Sequence, residues 1–179
     1  MEQETDILID ELRQGKPAAC QRLLTAYGPT VLRMVQRIVT QREDAEEVYQ
    51  DVFVKALRGI GGYDPRQASL ATWLSRIAYH ESLNFVRSKK AVIVYMDDSE
   101  LGSDSLELPD DGPRDEQTIR RLEQALGRLP RHEQALVSMF YYDNMSLADI
   151  AYVTGSIPST VGSQLSRIRK KLYRIIKTL

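Results

Sequence analysis

The sequence predicts an all-α fold in which two small helical domains are joined by an acidic flexible linker, with a helix-turn-helix in the second domain. Apolar residues recur at steps of three and four, with little of the strict alternation that is typical of strands. Charge divides the chain into blocks: residues 1–92 carry a net +1, residues 93–116 a net −8 and residues 117–179 a net +6. We therefore expect a first domain at 1–92, a linker at 93–113 and a second domain at 114–179 that suits a polyanion.

Length and composition limit the class of protein. The 179 residues suffice for one ordinary domain or two small ones, and the hydrophobic content of 42% argues against global disorder. Cys20 is the single cysteine, so no intramolecular disulfide can form and a reducing compartment is expected. No apolar run approaches the roughly 18 residues of a transmembrane helix, and the acidic N-terminus is unlike a signal peptide. These features predict a cytoplasmic protein.

Two helices are predicted before residue 40. A short amphipathic helix should end near Gly15, and Pro17 suits the first turn of the next, where a proline loses no intrahelical hydrogen bond. Gly28 and Pro29 lie inside this second helix and are expected to kink or interrupt it. The buried face of the second helix is predicted to contain Leu23, Leu24, Tyr27, Val31, Leu32, Val35, Ile38 and Val39.

Further helices are predicted on both sides of the linker. The third spans about 43–57, with acidic residues in its first turn, where the helix dipole favours them. A glycine-rich loop follows, and Ser69 is placed to cap the fourth helix. Residues 91–96 fit either a short strand or the last ordered piece of the first domain. Beyond the linker, helical patterns cover about 115–128, 131–142, 146–154 and 158–178.

The strongest local signal is a helix-turn-helix over residues 144–172. Ser146 can cap a short helix, Gly155 can supply the tight turn, and Pro158 suits the first turn of the second helix. The N-terminal residues of such a second helix meet base edges in the major groove. An acid-free basic run follows them and suits phosphates. The candidates for contact with duplex DNA are Ser159, Thr160, Ser163, Gln164, Arg167, Arg169 and Lys170. A plain helical hairpin with a solvated basic face is the alternative.

Two surfaces of the first domain point to partners. The third helix begins with an acidic cluster that can face a basic partner, although a solvated helix start has the same pattern. The fourth helix interleaves Trp73, Tyr79 and His80 with basic residues. Single-stranded nucleic acid is bound by this combination of stacking and phosphate attraction. For Trp73, packing in the core is the alternative interpretation.

Taken in order, these segments resemble the extracytoplasmic-function sigma factors of bacterial RNA polymerase. DAEEVYQDVFVKAL resembles the segment that binds the polymerase clamp helices, and SLATWLSRIAYHESLNFVRSKK resembles the helix that melts and reads the −10 promoter element. LGRLPRHEQALVSMFYYDNMSLADIAYVTGSIPSTVGSQLSRIRKKL resembles the segment that reads the −35 element. The resemblance covers nearly the whole chain. It implies a protein that lends promoter recognition to RNA polymerase and is not itself an enzyme.

The resemblance also implies roles and partners. Contact with polymerase is implied for Asp44, Glu47, Gln50, Asp51, Phe53 and Leu57. Contact with the single-stranded −10 element is implied for Trp73, Arg76, His80, Asn84, Arg87 and Lys89. Contact with the duplex −35 element is implied for the seven candidate residues in the second helix of the helix-turn-helix. The implied partners are core RNA polymerase, promoter DNA and, as is common in this group, an anti-sigma factor.

Five positions depart from the family pattern. Leu70 stands where the family usually has Phe, His80 where it has Asn, and Asn84 where it has Asp, so the −10 preference cannot be transferred. Gly162 and Gln164 stand where Lys and Arg are frequent, which removes two positive charges. Gly162 also weakens a helix by about 0.5–1 kcal/mol relative to Ala. The −35 contact is therefore expected to be weaker or tuned to another sequence.

Two other function classes fit parts of the sequence. An autonomous helix-turn-helix regulator that binds duplex operator DNA would explain the second domain but not the two surfaces of the first. A metal-dependent nuclease would need the carboxylates at 43–51, but no histidine–carboxylate motif or phosphate-binding loop accompanies them. No catalytic residue, metal site, cofactor or small-molecule substrate is predicted.

Overall fold

The computed structural model describes residues 2–93 and 116–179, and within these ranges every regular element is helical. A short 3-10 helix, Ile60–Gly62, follows α3. The eight α-helices are α1 (Glu2–Arg13), α2 (Pro17–Ile38), α3 (Arg42–Gly59), α4 (Leu70–Ile93), α5 (Glu116–Gly127), α6 (Arg131–Tyr141), α7 (Leu147–Thr154) and α8 (Pro158–Lys177). The prediction of an all-α fold with two helical domains is confirmed. The predicted linker falls almost entirely outside the described residues.

Helix α2 is the centre of the first domain and packs against α1, α3 and α4. It continues through Pro29, which contradicts an interruption of the helix, whereas the alternative expectation of a kink stays a prediction. A proline inside a helix removes one backbone hydrogen bond, but the following turns place Val31 and Val35 fully in the core, and this burial keeps the helix intact. The prediction for Leu24 is also wrong: it is 40% exposed, because the adjacent Leu23 takes the inward position.

Helix α2 lies close to Tyr49 of α3 at Gly28. A Cβ atom at this position would lie 2.7 Å from the hydroxyl oxygen of Tyr49. The Tyr49 ring in turn contacts the edge of Phe53, with ring centroids 5.0 Å apart. The glycine therefore allows the tyrosine to fill the space between the helices.

The loop between α3 and α4 is closed by side-chain hydrogen bonds. The Tyr63 hydroxyl donates to the carbonyl of Ala68 (2.9 Å), and the N–H of Thr72 donates to the Ser69 hydroxyl (3.1 Å), which confirms Ser69 as the cap. Hydrogen bonds from Arg66 lower the pKa of Asp64 to about 2. Helix α4 ends at Ile93, so residues 91–93 are helical, and 94–96 lie outside the described residues.

The second domain contains the predicted helix-turn-helix in α7 and α8. The Ser146 side chain caps α7 by accepting from the N–H of Asp149 (3.0 Å). Gly155 ends α7 with φ 72°, a left-handed conformation that costs glycine little. Pro158 begins α8. Val161, Leu165 and Ile168 form the buried stripe of α8.

The two domains also contact each other, with α4 against α7 and α2 against α6. Arg37 of α2 forms a two-pronged ion pair with Asp143, which lies just after α6, and one of its N–O distances is 3.0 Å. A cleft of about 830 Å³ lies beside this pair. This contact was not predicted from the sequence, because its partners are more than 70 residues apart.

Candidate nucleic-acid interface

The outer face of α8 is polar and accessible. Ser159, Ser163 and Arg167 are exposed, whereas Thr160 and Gln164 are half-buried. The Ser163 hydroxyl donates to the carbonyl of Ser159 (3.0 Å), so the helix itself satisfies this group. The arrangement follows from helical spacing, since the apolar stripe of α8 turns these residues away from the core. The face can enter a major groove without rearrangement of the second domain.

The basic run of α8 divides into engaged and accessible charges. Lys171 donates to Glu133 (2.9 Å), and the Lys177 ammonium lies 4.6 Å from the centre of the Tyr173 ring. Arg167 and Arg169 are exposed, and neither forms an ion pair with any residue that the structure describes. These two arginines are therefore better placed than Lys171 and Lys177 to neutralise phosphates.

The start of α6 adjoins the outer face of α8, a feature that sequence reasoning missed. His132 and Glu133 line a cleft of about 200 Å³ together with Gln164 and Arg167 of α8. In the sequence, His132 is only a polar residue near the start of a predicted helix, which is a weak indication of such a cleft. Side chains from two helices thus line the space beside Gln164.

Five of the six predicted −10 residues follow one face of α4, whereas Lys89 lies on the opposite side of the helix, toward α3. Trp73 is half-buried and its ring centroid lies 5.3 Å from that of Tyr63, so packing accounts for much of its surface. Asn84 and Arg87 are exposed. Lys89 is exposed as well and pairs with Asp44 of α3 (2.5 Å). The predicted −10 residues in the second half of α4 are therefore more accessible than those in the first half.

Arg76 and His80, in the first half of α4, contact α7. The Arg76 guanidinium donates to the carbonyl of Tyr152 (2.8 Å) and lies 4.9 Å from the centre of the Tyr152 ring. The His80 Nε2 atom is buried and has no hydrogen-bond partner among the described residues. Burial, and then the nearby Arg76 charge, lower the pKa of His80, while the Val153 carbonyl and Glu81 oppose this shift.

The acidic face of α3 is mostly open to solvent. Glu47, Gln50 and Asp51 are exposed, whereas Phe53 is only 5% exposed and belongs to the core. Leu57 is half-buried, and Asp44 is engaged by Lys89. Helix α3 can therefore contact a partner through its carboxylate and amide groups. Phe53 packs behind this face and supports it.

Neither a metal centre nor a membrane-spanning helix is seen in the parts of the chain that the structure describes. No three or more His, Cys, Asp or Glu side chains there are grouped so as to hold a metal ion. No helix in these parts is both long enough and apolar enough to cross a bilayer.

Comparison with known proteins gives two family matches in the order of the two domains. Residues 23–92 match Sigma-70 region 2, and residues 119–172 match Sigma-70, region 4. The ECF RNA polymerase sigma factor SigW of Bacillus subtilis is 23% identical over 181 residues, which cover 96% of this chain and 96% of SigW. The ECF RNA polymerase sigma factor RpoE of Cereibacter sphaeroides is 29% identical over 158 residues, covering 88% and 84%.

A solved structure has the same fold. It is the sigma factor RpoE in complex with the anti-sigma factor NepR from Bartonella quintana, with a TM-score of 0.64 and 20% sequence identity. The match covers 88% of this chain and 96% of that chain.

Proposed function

This chain belongs to the extracytoplasmic-function sigma factors of bacterial RNA polymerase, and on that premise we propose that it works through three helical surfaces. The outer face of α3 binds core polymerase, the outer face of α4 meets the opened −10 element, and the outer face of α8 reads the duplex −35 element. As a sigma factor, the protein directs sequence-specific promoter recognition and the initiation of transcription. The observation that carries the proposal is the accessible polar face of α8 within a capped helix-turn-helix.

The −35 role is supported by the chemistry of α8. Gln164 can pair with adenine through two hydrogen bonds, and the exposed Arg167 can contact guanine or phosphate. Short hydroxyl side chains at 159, 160 and 163 allow the helix to approach the groove closely. Arg169 and Lys170 extend the contact toward the DNA backbone.

The polymerase and −10 roles rest on the two faces of the first domain. Exposed Glu47, Gln50 and Asp51 can meet a basic surface of polymerase. Asp44 and Leu57 lie beside them, and the buried Phe53 supports this face from behind. On α4, Asn84 and Arg87 are accessible for contact with single-stranded DNA, and Arg76 and His80 extend the row toward Trp73. Unstacked bases are recognised by such stacking and charged groups at a cost of a few kcal/mol per base.

The domain limits, setting and regulation are part of the same proposal. We assign 1–92 to the polymerase and −10 functions, 93–113 to the linker and 114–179 to the −35 function; the two family matches fall within the first and third of these ranges. Sigma factors are DNA-recognition proteins, and we propose that this one catalyses no reaction and acts in the cytoplasm. A relative of the same fold forms a complex with an anti-sigma factor, and we propose such a partner here.

The test is reconstitution with core RNA polymerase, followed by run-off transcription from a library of genomic fragments. Asp51→Ala should weaken binding to core polymerase, whereas Asp6→Ala, an exposed acid on α1, should leave it unchanged. Equal polymerase affinity in the Asp51 variant would remove the outer face of α3 from the polymerase site.

The −35 surface is tested with the promoters that this transcription experiment delivers. Arg167→Ala should lower −35 affinity and, if the arginine meets a phosphate, reduce the slope of log affinity against log salt by about 1. Arg128→Ala, an exposed base outside α8, is the matched control. Unchanged promoter use in the Arg167 variant would contradict the assigned role of α8.

A further inference from the structure

The cleft beside the Arg37–Asp143 ion pair has a volume of about 830 Å³. Its walls come from α2 and α4, from α5 and α6, and from the segment between α6 and α7. Binding sites for small molecules generally have volumes of about 300–1,000 Å³. We infer that this cleft binds a small amphipathic anion, a molecule with one acidic group on an apolar body. The inference goes beyond the proposed function, since none of the residues that line the cleft is assigned to DNA or polymerase.

The charges around the cleft include one cation without a counter-ion. Arg37 and Asp143 form a two-pronged ion pair and neutralise each other. Arg33 is exposed and donates to the Thr30 hydroxyl (3.3 Å), but it forms no ion pair with any residue that the structure describes. A guanidinium binds carboxylates and similar oxyanions through strong, parallel hydrogen bonds. The lining therefore carries a net charge of +1, which matches a ligand with a single negative group.

A second polar group of the lining also lacks a partner. Ser75 of α4 is only 4% exposed, yet its hydroxyl forms no hydrogen bond within the described parts of the chain. Side chains of this kind inside a helix can donate to a carbonyl of the preceding turn, as Thr154 does to Ile150 (2.8 Å). A buried polar group without a partner costs free energy. Because Ser75 lines the cleft, an occupant of the cleft, either water or a ligand, is what can satisfy its hydroxyl.

The rest of the lining suits an apolar body. The apolar side chains of the walls include Met34 of α2, Leu126 of α5, Val137 of α6 and Met145, which lies between α6 and α7. Methionine side chains adapt to ligands of different shapes. Tyr142 is 67% exposed, so its ring is accessible for stacking against an apolar or aromatic group. Apolar walls with a few convergent polar groups are the usual composition of a small-molecule site.

The affinity test uses anilinonaphthalenesulfonate, an aromatic molecule with one sulfonate whose fluorescence increases in an apolar site. Titration of the full-length chain should show one saturable site per molecule. Arg33→Gln should weaken binding at least about fivefold, because the sulfonate loses its counter-ion. Arg58→Gln, which changes an exposed arginine of α3 outside the cleft, should bind the compound as the wild type does.

The neutral analogue phenylnaphthylamine separates charge from apolar contact. It has the same aromatic rings without the sulfonate, so Arg33→Gln should leave its affinity unchanged. Equal weakening of both compounds by Arg33→Gln would show that the substitution alters the shape of the cleft and not its charge. That result would overturn the preference for an anion.

The position of the bound sulfonate is measured by NMR of isotope-labelled methionine methyl groups. Met34 and Met145 line the cleft, whereas Met139 is fully buried outside its lining. The signals of Met34 and Met145 should shift with the same concentration dependence as the fluorescence, and the signal of Met139 should shift much less. Unchanged signals of Met34 and Met145 would overturn the site. Shifts of both signals, with equal sulfonate affinity in the wild type and Arg33→Gln, would overturn the assignment to an anion.

Discussion

Side-chain environment divides the predicted contact residues into two groups. Phe53 and Trp73 are committed to packing against Tyr49 and Tyr63, whereas Asp51 and Arg167 are free to meet a partner. The resemblance assigns roles by position along a helix, but adjacent positions on a helix face different directions. Position alone therefore cannot tell a contact residue from the residue that supports it.

Gly28 provides a prediction at the scale of one atom. Gly28→Ala should destabilise the protein by about 1 kcal/mol, because the new Cβ would meet the Tyr49 hydroxyl and overpacking outweighs the gain in helix propensity. Chemical denaturation measures the difference. In a Tyr49→Phe background the hydroxyl is gone, so the same change should stabilise by about 0.5–1 kcal/mol. An equal decrease in the free energy of unfolding in both backgrounds would contradict the contact between Gly28 and the Tyr49 hydroxyl.

His80 provides a prediction of pH dependence. Its pKa is lowered where α4 packs against α7, first by burial and then by Arg76, so a proton binds His80 more tightly once this contact opens. The contribution of His80 to the stability of the α4–α7 contact is therefore present above the ordinary histidine pKa of about 6.5 and is lost as the pH falls below it. The radius of gyration should increase between about pH 7.5 and about pH 5.5. His80→Asn should remove this increase, and an increase that persists in the variant would contradict the role of His80.

At the scale of elements, local sequence patterns predict where the helices begin and end. The features that these patterns do not predict depend on packing between helices. The capped start of α7 at Ser146 and the turn at Gly155 were predicted, because caps and turns are encoded within a few residues. The sequence left open whether α2 is interrupted at Pro29, and it did not predict the outward position of Leu24, because burial against neighbouring helices decides both. The α4–α7 contact has no local signal at all, since Arg76 and Tyr152 are brought together only by the fold.

Two glycines of the helix-turn-helix should respond in opposite ways to the same substitution. Gly155→Ala should destabilise the protein by about 1–2 kcal/mol, because φ is 72° at this position. Gly162→Ala should stabilise it by about 0.5–1 kcal/mol, since the helical backbone accepts alanine and Leu147 Cδ1 would lie at 3.8 Å from its Cβ. Thermal denaturation of both variants tests the pair. Destabilisation by Gly162→Ala would show that the space beside Leu147 is tighter than described.

At the scale of the whole molecule, the contacts of α2 with α6 and of α4 with α7 couple the domains. Calorimetry of the wild type should show a single unfolding transition, because the two domains stabilise each other through these contacts. Tyr152→Ala should separate the transitions, while Asp10→Asn should retain one. Two transitions in the wild type would mean that the domains unfold independently.

The contact of Tyr152 with Arg76 within one chain has a consequence for its dependence on concentration. An intramolecular contact acts at a fixed effective concentration, on the order of millimolar, that does not change with the amount of protein in the cell. Greater synthesis therefore raises the numbers of molecules with and without this contact in constant proportion. Only a partner that binds one of these two forms more tightly changes the proportion, by mass action.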